Sequence, residues 1–492
     1  MEKKMNKLIL YGILAIAALS SGCEKYLDKE PDNRTQVKTP EQIEELLTTA
    51  YPHANYILFC ESMSDNAEDK EGAGSGYDFV DKTNSQSYRY EVVDAPPDAE
   101  DGPDFYWNGC YKAIAAANQA LEFIDQAGDK TQLSAHRGEA LVARAYAHFM
   151  LVTLFAKVYN PATAASDPGI PYVTETEKVT FKNYERGTVA QLYDSIERDL
   201  TEGLPLINDA IYGTAPKFHF NRKAANAFAA RFYMFRQDYE KVVTYATAAL
   251  GNTVTDNLRP WNSVLTNLQY AELQAEYTKS TTAGNLLLQE APSIWGRSYP
   301  SLRYGIGNNV ANELFGSPNV TGGFYAYDLY GANPQSYNIP KFYEHFVREN
   351  LNANSGNAYN TIPLITGEEA LLNRAEAYLR LNNPGAAIND LNLFISQNID
   401  KYNPAQHKVS ASKCANYYGA SSTTGIFLAI LDFKRAFFMH EGLRWFDIIR
   451  LGIPVVHTTA EGEQIYLAPD DNRRVLQLPA LTKQAGLEPN PR

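Results

Sequence analysis

Two sets of amphipathic segments constrain the fold more than any other feature of this 492-residue sequence. In residues 105–250, and again in residues 367–397, apolar residues recur at three- and four-residue spacing. That period places apolar side chains on one face of an α-helix. Short breaks at residues 236–238 and 382–385 each join two such segments, which predicts two antiparallel helical hairpins. We therefore expect a mostly α-helical protein.

The stretch between these hairpins has a different composition. Residues 251–363 are rich in Asn, Gly, Ser and Tyr and lack sustained helical periodicity, although residues 285–289 form a strand-like run. The hairpins, with small residues beside large ones and a tight turn, are typical of tetratricopeptide units, but they do not form a tandem array. We predict one domain over residues 23–492: a tetratricopeptide-like helical hairpin scaffold (38–250 and 364–452) with a long irregular, loop-rich insertion.

The first 22 residues have the composition of an export signal. A lysine-rich start precedes the apolar run Leu8–Leu19, which is too short to cross about 30 Å of hydrocarbon as a helix. Residues 20–23 (SSGC) then resemble the bacterial lipobox, in which the cysteine is lipidated and becomes the first residue. We predict a signal peptide over residues 1–22 and a lipid anchor at Cys23, which would hold the protein at a membrane.

Composition excludes two broad classes. A hydrophobic share of 45% supports a sizeable core, which argues against a disordered chain. A net charge of −13 argues against a nucleic-acid partner because phosphates would be repelled. Beyond Cys23, the three remaining cysteines allow at most one disulfide, and whether Cys60 and Cys110 pair stays open.

No catalytic constellation is visible in the sequence. There is no Walker loop, no GxGxxG and no GxSxG, and nothing fixes two carboxylates across a cleft as a glycosidase needs. No cysteine or histidine spacing is typical of zinc sites. We predict a protein that is not an enzyme and that has no catalytic residues.

The insertion offers aromatic and polar residues that suit a sugar ligand. The chain has 33 Tyr against 22 Phe, a bias towards rings with a polar tip. A sugar ring presents an apolar C–H face and a rim of hydroxyls, so stacking and side-chain hydrogen bonds bind it together. The candidate ligand-binding residues are Trp295, Tyr299, Arg303, Tyr304, Asn308, Tyr325 and Tyr327. For any one of them, core packing is the alternative interpretation.

Residues 61–103 lose the helical pattern and predict a long surface loop, which in a compact body is typically functional or disordered. Within it, Asp65 and Asp69 offer oxygen ligands to a possible structural calcium ion. The loop lacks the EF-hand spacing, and a solvated loop is the alternative. We predict no other cofactor.

Residues 428–452 predict one amphipathic helix near the C-terminus. Its charges recur at three-residue steps, at Glu441, Arg444, Asp447 and Arg450, a spacing that allows ion pairs within the helix. Its aromatic residues supply area for burial in a core.

The string EGLRWFD at residues 441–447 resembles the C-terminal signature EGHRWFDLRR of the SusD/RagB family of Bacteroidetes outer-membrane lipoproteins. It departs from that signature at Leu443, Ile448 and Ile449. Other segments resemble the family in the same order: the lipobox with CEKYLDKEP, RGEALVARAYAHFMLVTLFAKVYN, NRKAANAFAARFYMF and LLNRAEAYLRL. The resemblance covers almost the whole chain after Cys23, while residues 251–363 match poorly.

The resemblance implies a helical body with tetratricopeptide-like hairpins and a place on the cell surface, anchored to the outer membrane by lipid. It also implies a partner, a SusC-like TonB-dependent transporter, to which the protein delivers a captured glycan without catalysis. No family motif marks the glycan-binding residues. A RagB-like protein that captures peptides and a tetratricopeptide scaffold that binds only proteins are the alternatives, with a secreted hydrolase ranked last.

Overall fold

In a computed structural model, the chain is described at residues 39–72, 74–178, 182–333, 335–348, 350, 353 and 355–492. The predicted signal peptide and Cys23 lie outside these residues. The chain from Ile43 to Arg492 forms one compact unit. Of the unit that precedes it, only Thr39–Gln42 are described, and they begin the first helix.

Helices make up most of the regular structure. They are α1 (Pro40–Leu47), α2 (Ile57–Met63), α3 (Asp78–Tyr88), α4 (Pro103–Gln126), α5 (Ser134–Phe155), α6 (Val189–Gly203), α7 (Arg222–Arg236), α8 (Tyr239–Leu250), α9 (Tyr270–Tyr277), α10 (Trp295–Ser298), α11 (Asn308–Phe315), α12 (Gly367–Arg380), α13 (Pro384–Asn398), α14 (Pro404–His407), α15 (Ala411–Tyr418), α16 (Ser422–Phe437) and α17 (Leu443–Leu451). Short 3₁₀ turns cover Leu204–Leu206, Asp209–Ile211, Pro216–Phe218, Val254–Asn257, Leu265–Asn267, Asn472–Arg474 and Ala480–Ala485.

The strands are short and belong to small antiparallel sheets. They are β1 (Glu68–Asp69), β2 (Asn285–Pro292), β3 (Tyr304–Gly305), β4 (Tyr330–Asn333), β5 (Ser336–Asn338), β6 (Glu344–Arg348), β7 (Gly356–Thr366), β8 (Val455–Thr458) and β9 (Gln464–Leu467). β2, β7 and β6 form a three-stranded sheet in that order, and the pairs β1–β3, β4–β5 and β8–β9 form two-stranded sheets. The prediction of a mostly α-helical protein is confirmed, while its tetratricopeptide-like detail stays a prediction.

Both predicted hairpins form at the expected places. In α7–α8, Gln237 adopts a left-handed backbone that ends the first helix, and the Asp238 side chain caps the second by accepting from the Lys241 N–H at 3.3 Å. In α12–α13, Asn383 caps the second helix by accepting from the Ala386 N–H at 3.2 Å. Local turn and cap residues therefore determine these two hairpins.

The insertion is irregular but contains more order than its sequence predicts. The strand-like run at residues 285–289 is confirmed as part of β2, which pairs along its length with β7. Helices α9, α10 and α11 also lie in the insertion. Leu286–Leu288 of β2 are buried, so the sheet forms part of the core rather than a loop on its surface.

Residues 61–103 are not one long loop, and that prediction is wrong. They include the end of α2, strand β1 and the 11-residue helix α3. The buried face of α3 follows helical spacing, but several of its members are polar, which hides the pattern in the sequence. These buried residues are Val80, Thr83, Asn84, Ser87 and Tyr88.

The single helix predicted for residues 428–452 is also wrong, because it is two helices. α16 ends at Phe437 and α17 begins at Leu443. Between them, His440 and Gly442 have positive φ angles of 71° and 74°. A left-handed backbone cannot continue an α-helix, so the chain turns sharply at the glycine of EGLRWFD.

Candidate functional site

The charges of EGLRWFD bind mainly to other parts of the chain, not to each other. Glu441 accepts from Lys341 Nζ at 2.7 Å and from the Tyr277 hydroxyl at 2.5 Å. Arg444 donates from Nε and Nη2 to the two oxygens of Asp65, both at 2.7 Å. These contacts join the insertion and the segment after α2 to this turn. The motif therefore supports the framework around the insertion.

Within the predicted ladder, Asp447 and Arg450 do pair as expected, at 2.7 Å. Lys434 donates to the same carboxylate at 2.7 Å. Burial alone would raise the pKa of Asp447, but these two cations outweigh it and lower the pKa to about 2. The expected ladder is thus correct for one pair, while Glu441 and Arg444 reach other elements.

The two carboxylates named for calcium already have cationic partners. Asp65 binds Arg444, and Asp69 accepts from Arg303 Nε and Nη2 at 2.8 Å each. Burial raises the pKa of both carboxyls, but the guanidinium groups outweigh this effect and lower the pKa of each below its usual value. Among the described residues, no three His, Cys, Asp or Glu side chains are grouped to hold a metal ion. Calcium binding stays an untested prediction, and it would compete with these arginines.

Three of the proposed sugar-stacking rings lie in the core. Trp295 and Tyr299 pack against each other with tilted rings, 5.2 Å between ring centroids, and the Tyr299 hydroxyl donates to the Ile339 carbonyl at 3.1 Å. Tyr304 stacks on Tyr88 at 4.2 Å. All three are buried. A sugar could not stack on them unless the surface above them opened.

The remaining candidates divide between core and surface. Tyr327 is buried and donates to Asn398 Oδ1 at 2.8 Å, and the half-buried Tyr325 stacks on it at 5.3 Å. Arg303 is partly exposed and Asn308 is exposed. The structure thus places the chosen residues in different environments and does not gather them around one cavity. Their role in ligand binding stays a prediction.

The structure does bring together the two segments that the sequence singled out. β1 pairs with β3 of the insertion. Asp101 is buried and accepts from Ser293 Oγ at 2.6 Å and from the Ile294 N–H at 3.0 Å. Residues 64–103 and the start of the insertion therefore form one continuous surface region.

At this junction lies an exposed ring that sequence reasoning missed, Tyr77. Its side chain is beside Arg297, whose Nη1 donates to the Tyr77 hydroxyl at 3.0 Å. Arg297 Nε in turn donates to both carboxylate oxygens of Glu344, at 2.8 and 2.7 Å. Phe79 contacts the Tyr77 ring edge-on at 6.4 Å. We call these four residues the Tyr77 surface.

The loop before Tyr77 is fixed by one carboxylate of α3. Asp81 accepts from the Ser75 N–H at 2.6 Å, from Ser75 Oγ at 2.8 Å and from the Gly76 N–H at 3.1 Å. Gly74 has a φ of 88°, and a Cβ there would meet the Asp81 carboxylate at 2.7 Å. The glycine-rich loop therefore folds tightly over Asp81 and presents the following residue, Tyr77, at the surface.

The Tyr77 surface contains one cation, Arg297, which lies near the carboxylates of Glu344 and Glu100. The hydrogen bonds that Arg297 donates to Glu344 and Tyr77 raise the pKa of its guanidinium group. Nearby Glu100 has a raised pKa because it is partly buried and lies close to Glu344. A flat, partly exposed ring beside fixed guanidinium and carboxylate groups can stack on one ligand face and hydrogen-bond to its rim.

A sequence signal for Tyr77 existed. The tyrosine follows directly on a Gly-Ala-Gly-Ser-Gly run and precedes Asp78 and Phe79. Glycine-rich loops supported by a rigid body are common places for binding residues. Restricting the search to residues 251–363 excluded it.

A cavity of about 700 Å³ lies elsewhere, between α4, α5, residues 174–178 and Lys182. Charged side chains of both signs line it, among them Glu122, Asp125, Arg137, Arg144, Lys182 and Glu202. It has no aromatic lining residue, so it lacks the stacking surface that a sugar ring uses.

Comparisons with known proteins identify the fold and a family that part of the chain resembles. Residues 25–234 match the SusD-like family model described as "Starch-binding associating with outer membrane". A SusD superfamily protein from Bacteroides thetaiotaomicron has a similar structure, with 20% identity, a TM-score of 0.68 and coverage of 92% of this chain and 100% of the other. A putative sugar binding protein from Bacteroides vulgatus also has 20% identity, with a TM-score of 0.69 and coverage of 93% and 99%.

A third similar structure carries the description "Laminarin binding SusD-like protein", at 17% identity, a TM-score of 0.57 and coverage of 92% of this chain and 100% of the other. The search of curated proteins found no match. In the described part of the chain, no helix is both long and apolar enough to cross a membrane. The chain thus shares the fold of SusD superfamily structures, and residues 25–234 are similar to the SusD-like family.

Proposed function

We propose that the protein captures a glycan at the Tyr77 surface. The observation that supports this most directly is the exposed Tyr77 ring, which is 36% exposed although its hydroxyl and its backbone are both held in place. Several rings of the insertion are buried instead, among them Trp295, Tyr299 and Tyr304. A ring that is both exposed and fixed loses little conformational freedom when a sugar stacks on it.

Binding by similar proteins supports the choice of ligand class. One structure of the same fold is described as laminarin binding, and the family description names starch. Both are uncharged polysaccharides. Since Arg297 is already neutralised by Glu344, the Tyr77 surface of this chain also offers no unpaired cation for an anionic sugar.

We further propose the cellular setting that the sequence predicts. A lipid at Cys23 would anchor the protein to the outer membrane, facing the outside of the cell. A SusC-like TonB-dependent transporter would receive the glycan from it. The role is binding and delivery without catalysis. Support comes from the export signal, the lipobox and the family description, which mentions the outer membrane.

Affinity electrophoresis through gels that contain laminarin, starch or another polysaccharide tests the glycan proposal. We expect retardation by at least one neutral glycan, and a Tyr77→Ala variant should bind about tenfold more weakly because it loses the stacking surface. Tyr466→Ala is the matched control, since Tyr466 is 52% exposed and lies on β9, away from this surface.

Equal retardation of the Tyr77→Ala variant and the wild type would remove the site. Absence of retardation by every polysaccharide, together with binding of a peptide mixture, would favour the RagB-like alternative instead. Release of sugars from any of these polysaccharides by the purified protein, at a rate that follows the protein through purification, would contradict the non-catalytic role.

A further inference from the structure

Strand β6 has an unpaired outer edge. It is the last strand in the order β2–β7–β6, and no described strand pairs with its other side. The Ser293 N–H donates to the Ala358 carbonyl at 3.1 Å, so the peptide groups of Ala358 in β7 face away from β6. Phe346 of β6 lies opposite Ala358. In an antiparallel ladder, the N–H and C=O of Phe346 therefore point away from β7, towards the unpaired edge.

The same alternation applies at both ends of the strand. Glu344 and Arg348, two residues to either side of Phe346, also direct their backbone groups outward. Their side chains lie with that of Phe346 on one face of the sheet. Every second residue of β6, namely Glu344, Phe346 and Arg348, thus directs its backbone N–H and C=O to the unpaired edge.

This edge lacks several of the features that normally prevent pairing. Proteins protect exposed edges with charged side chains, above all lysine, with proline, with bulges or with a covering segment. β6 contains no lysine, proline or bulge: it reads EHFVR and pairs with β7 in an unbroken register. Its two charged residues have opposite signs, and Phe346 between them is 50% exposed. A regular edge with an exposed central ring favours the addition of a strand whose charges match.

The sequence of β6 is complementary to itself when it is reversed. If two copies pair antiparallel about Phe346, Glu344 of one lies opposite Arg348 of the other, at both ends of the strand. The opposed pairs Glu344–Arg348 and Phe346–Phe346 then have outward-facing backbone groups and are hydrogen-bonded, while His345 and Val347 form the non-hydrogen-bonded pairs between them. Moving the register by two residues would place Glu344 opposite Phe346 and lose both ion pairs.

The side chains are available for this pairing. Arg348 is exposed and has no ion-pair partner among the described residues. The Glu344 carboxylate binds Arg297, but an ionised carboxylate can accept about four hydrogen bonds and can bridge two guanidinium groups. The two Phe346 rings would form a cross-strand aromatic pair, which is among the more stabilising pairs in sheets.

We propose that a second copy of this chain binds at β6. The two strands pair antiparallel about a two-fold axis at Phe346, and two three-stranded sheets become one six-stranded sheet. An extended peptide of another protein could satisfy the backbone groups equally well. Only a strand with opposite charges at the two matching ends also pairs with Glu344 and Arg348, and the chain's own strand has them. The charge complementarity selects the second copy.

Sedimentation velocity of the purified protein tests this, at concentrations up to about 1 mM because a contact of this size is weak. We expect a reversible dimer. Phe346→Pro removes an N–H that β7 does not use, and proline is tolerated at such edge positions. Arg348→Glu places like charges opposite each other. Both variants should weaken the association at least about tenfold.

Lys401→Glu is the matched control, because it makes the same charge reversal at a side chain that is 91% exposed and outside β6. It should associate as the wild type does. A wild type that stays monomeric up to about 1 mM, or a dimer that neither variant weakens, would overturn the proposal. Protection of the Phe346 amide from hydrogen exchange by added peptides, with no dimer, would assign the edge to a peptide and overturn it too.

Discussion

At the scale of single residues, Trp295 shows how an aromatic side chain can be essential to a binding region without touching the ligand. Its ring is 2% exposed, its indole N–H has no hydrogen-bond partner among the described residues, and it packs against Tyr299. The insertion is rich in tyrosine and tryptophan because it needs a core of its own. Composition alone does not distinguish such core rings from rings that face a ligand.

We predict that Trp295→Ala lowers the free energy of unfolding by about 3–5 kcal/mol, because a large buried ring is removed and leaves a cavity. Tyr77→Ala, in contrast, should change it by no more than about 0.5 kcal/mol. Urea denaturation followed by circular dichroism measures both. If Trp295→Ala kept its stability and lost only glycan binding, the ring would be a ligand contact, as the sequence predicts.

His148 provides a second prediction at this scale. Its Nε2 accepts from the Val173 N–H at 3.0 Å, which makes Nδ1 the donor to the Arg144 carbonyl at 2.9 Å and keeps the imidazole neutral. Burial, followed by the nearby Arg144 charge, lowers its pKa to about 3. In the unfolded chain, a histidine titrates near 6.5.

Below about pH 6.5 the unfolded chain binds a proton at His148, whereas the folded protein does not bind it until about pH 3. The stability that neutral His148 contributes is therefore fully present above about pH 6.5. It should fall as the pH decreases, by about 2 kcal/mol between pH 7.5 and 5. In urea titrations at both values, His148→Gln should lose this part of the pH dependence. His53→Gln, at an exposed position, should retain it. Equal pH dependence in both variants would contradict the assignment.

At the scale of elements, local sequence determines some boundaries and hides others. The hairpins α7–α8 and α12–α13 were predictable because apolar spacing and turn residues agree. α3 was not, since the polar residues Thr83, Asn84 and Ser87 occupy its buried face. Asn84, for example, donates to Ser62 Oγ at 2.7 Å and to the Tyr304 carbonyl at 2.8 Å, partners that no local pattern reveals.

The break between α16 and α17 depends on Gly442. Its φ of 74° favours glycine, and a Cβ there would lie 3.1 Å from the Tyr56 ring and 3.2 Å from Cys60 Cβ. Apolar periodicity continues through this position, so the sequence predicts one helix. The glycine is required both by the left-handed backbone and by the close approach of α2.

We predict that Gly442→Ala destabilises the protein by about 2–4 kcal/mol, from left-handed strain of about 1 kcal/mol and crowding against α2. Gly419→Ala is the matched control, because Gly419 has a φ of 60° with open space around it. It should lose only about 1 kcal/mol. Thermal and urea unfolding measure the difference, and equal losses would mean that the contact with α2 is unimportant.

At the scale of the whole molecule, ion pairs between distant parts of the chain hold the candidate site in place. Arg444 of α17 binds Asp65, and Arg435 of α16 donates to the Asp65 carbonyl at 2.7 Å. These groups lie about 370–380 residues apart in sequence. They connect the C-terminal helices to the segment that leads to β1 and Tyr77. A single sequence shows the charged residues but not which of them pair. EGLRWFD therefore indicated a resemblance to a family, but the residues that its charges bind could not be predicted.

The Asp65–Arg444 pair should therefore be strongly coupled. Arg444 is buried and makes both bonds at 2.7 Å, and removing one partner leaves a poorly solvated charge. We predict that Arg444→Gln and Asp65→Asn each lower the free energy of unfolding by about 3 kcal/mol, and that the double variant loses about 2 kcal/mol less than their sum.

Arg89 and Glu463 provide a control pair with a similar distance and sequence separation, 2.9 Å and 374 residues, but with a single hydrogen bond at a more exposed position. Its coupling energy should be below about 1 kcal/mol, since water screens exposed pairs. The two double-mutant cycles are measured side by side by urea denaturation. If burial determines the strength of the ion pair, only the Asp65–Arg444 cycle shows a large coupling energy. The Asp65 and Arg444 variants should also bind glycan more weakly, because β1 loses its support. Similar couplings in both cycles would mean that the EGLRWFD arginine does not hold the Tyr77 region in position.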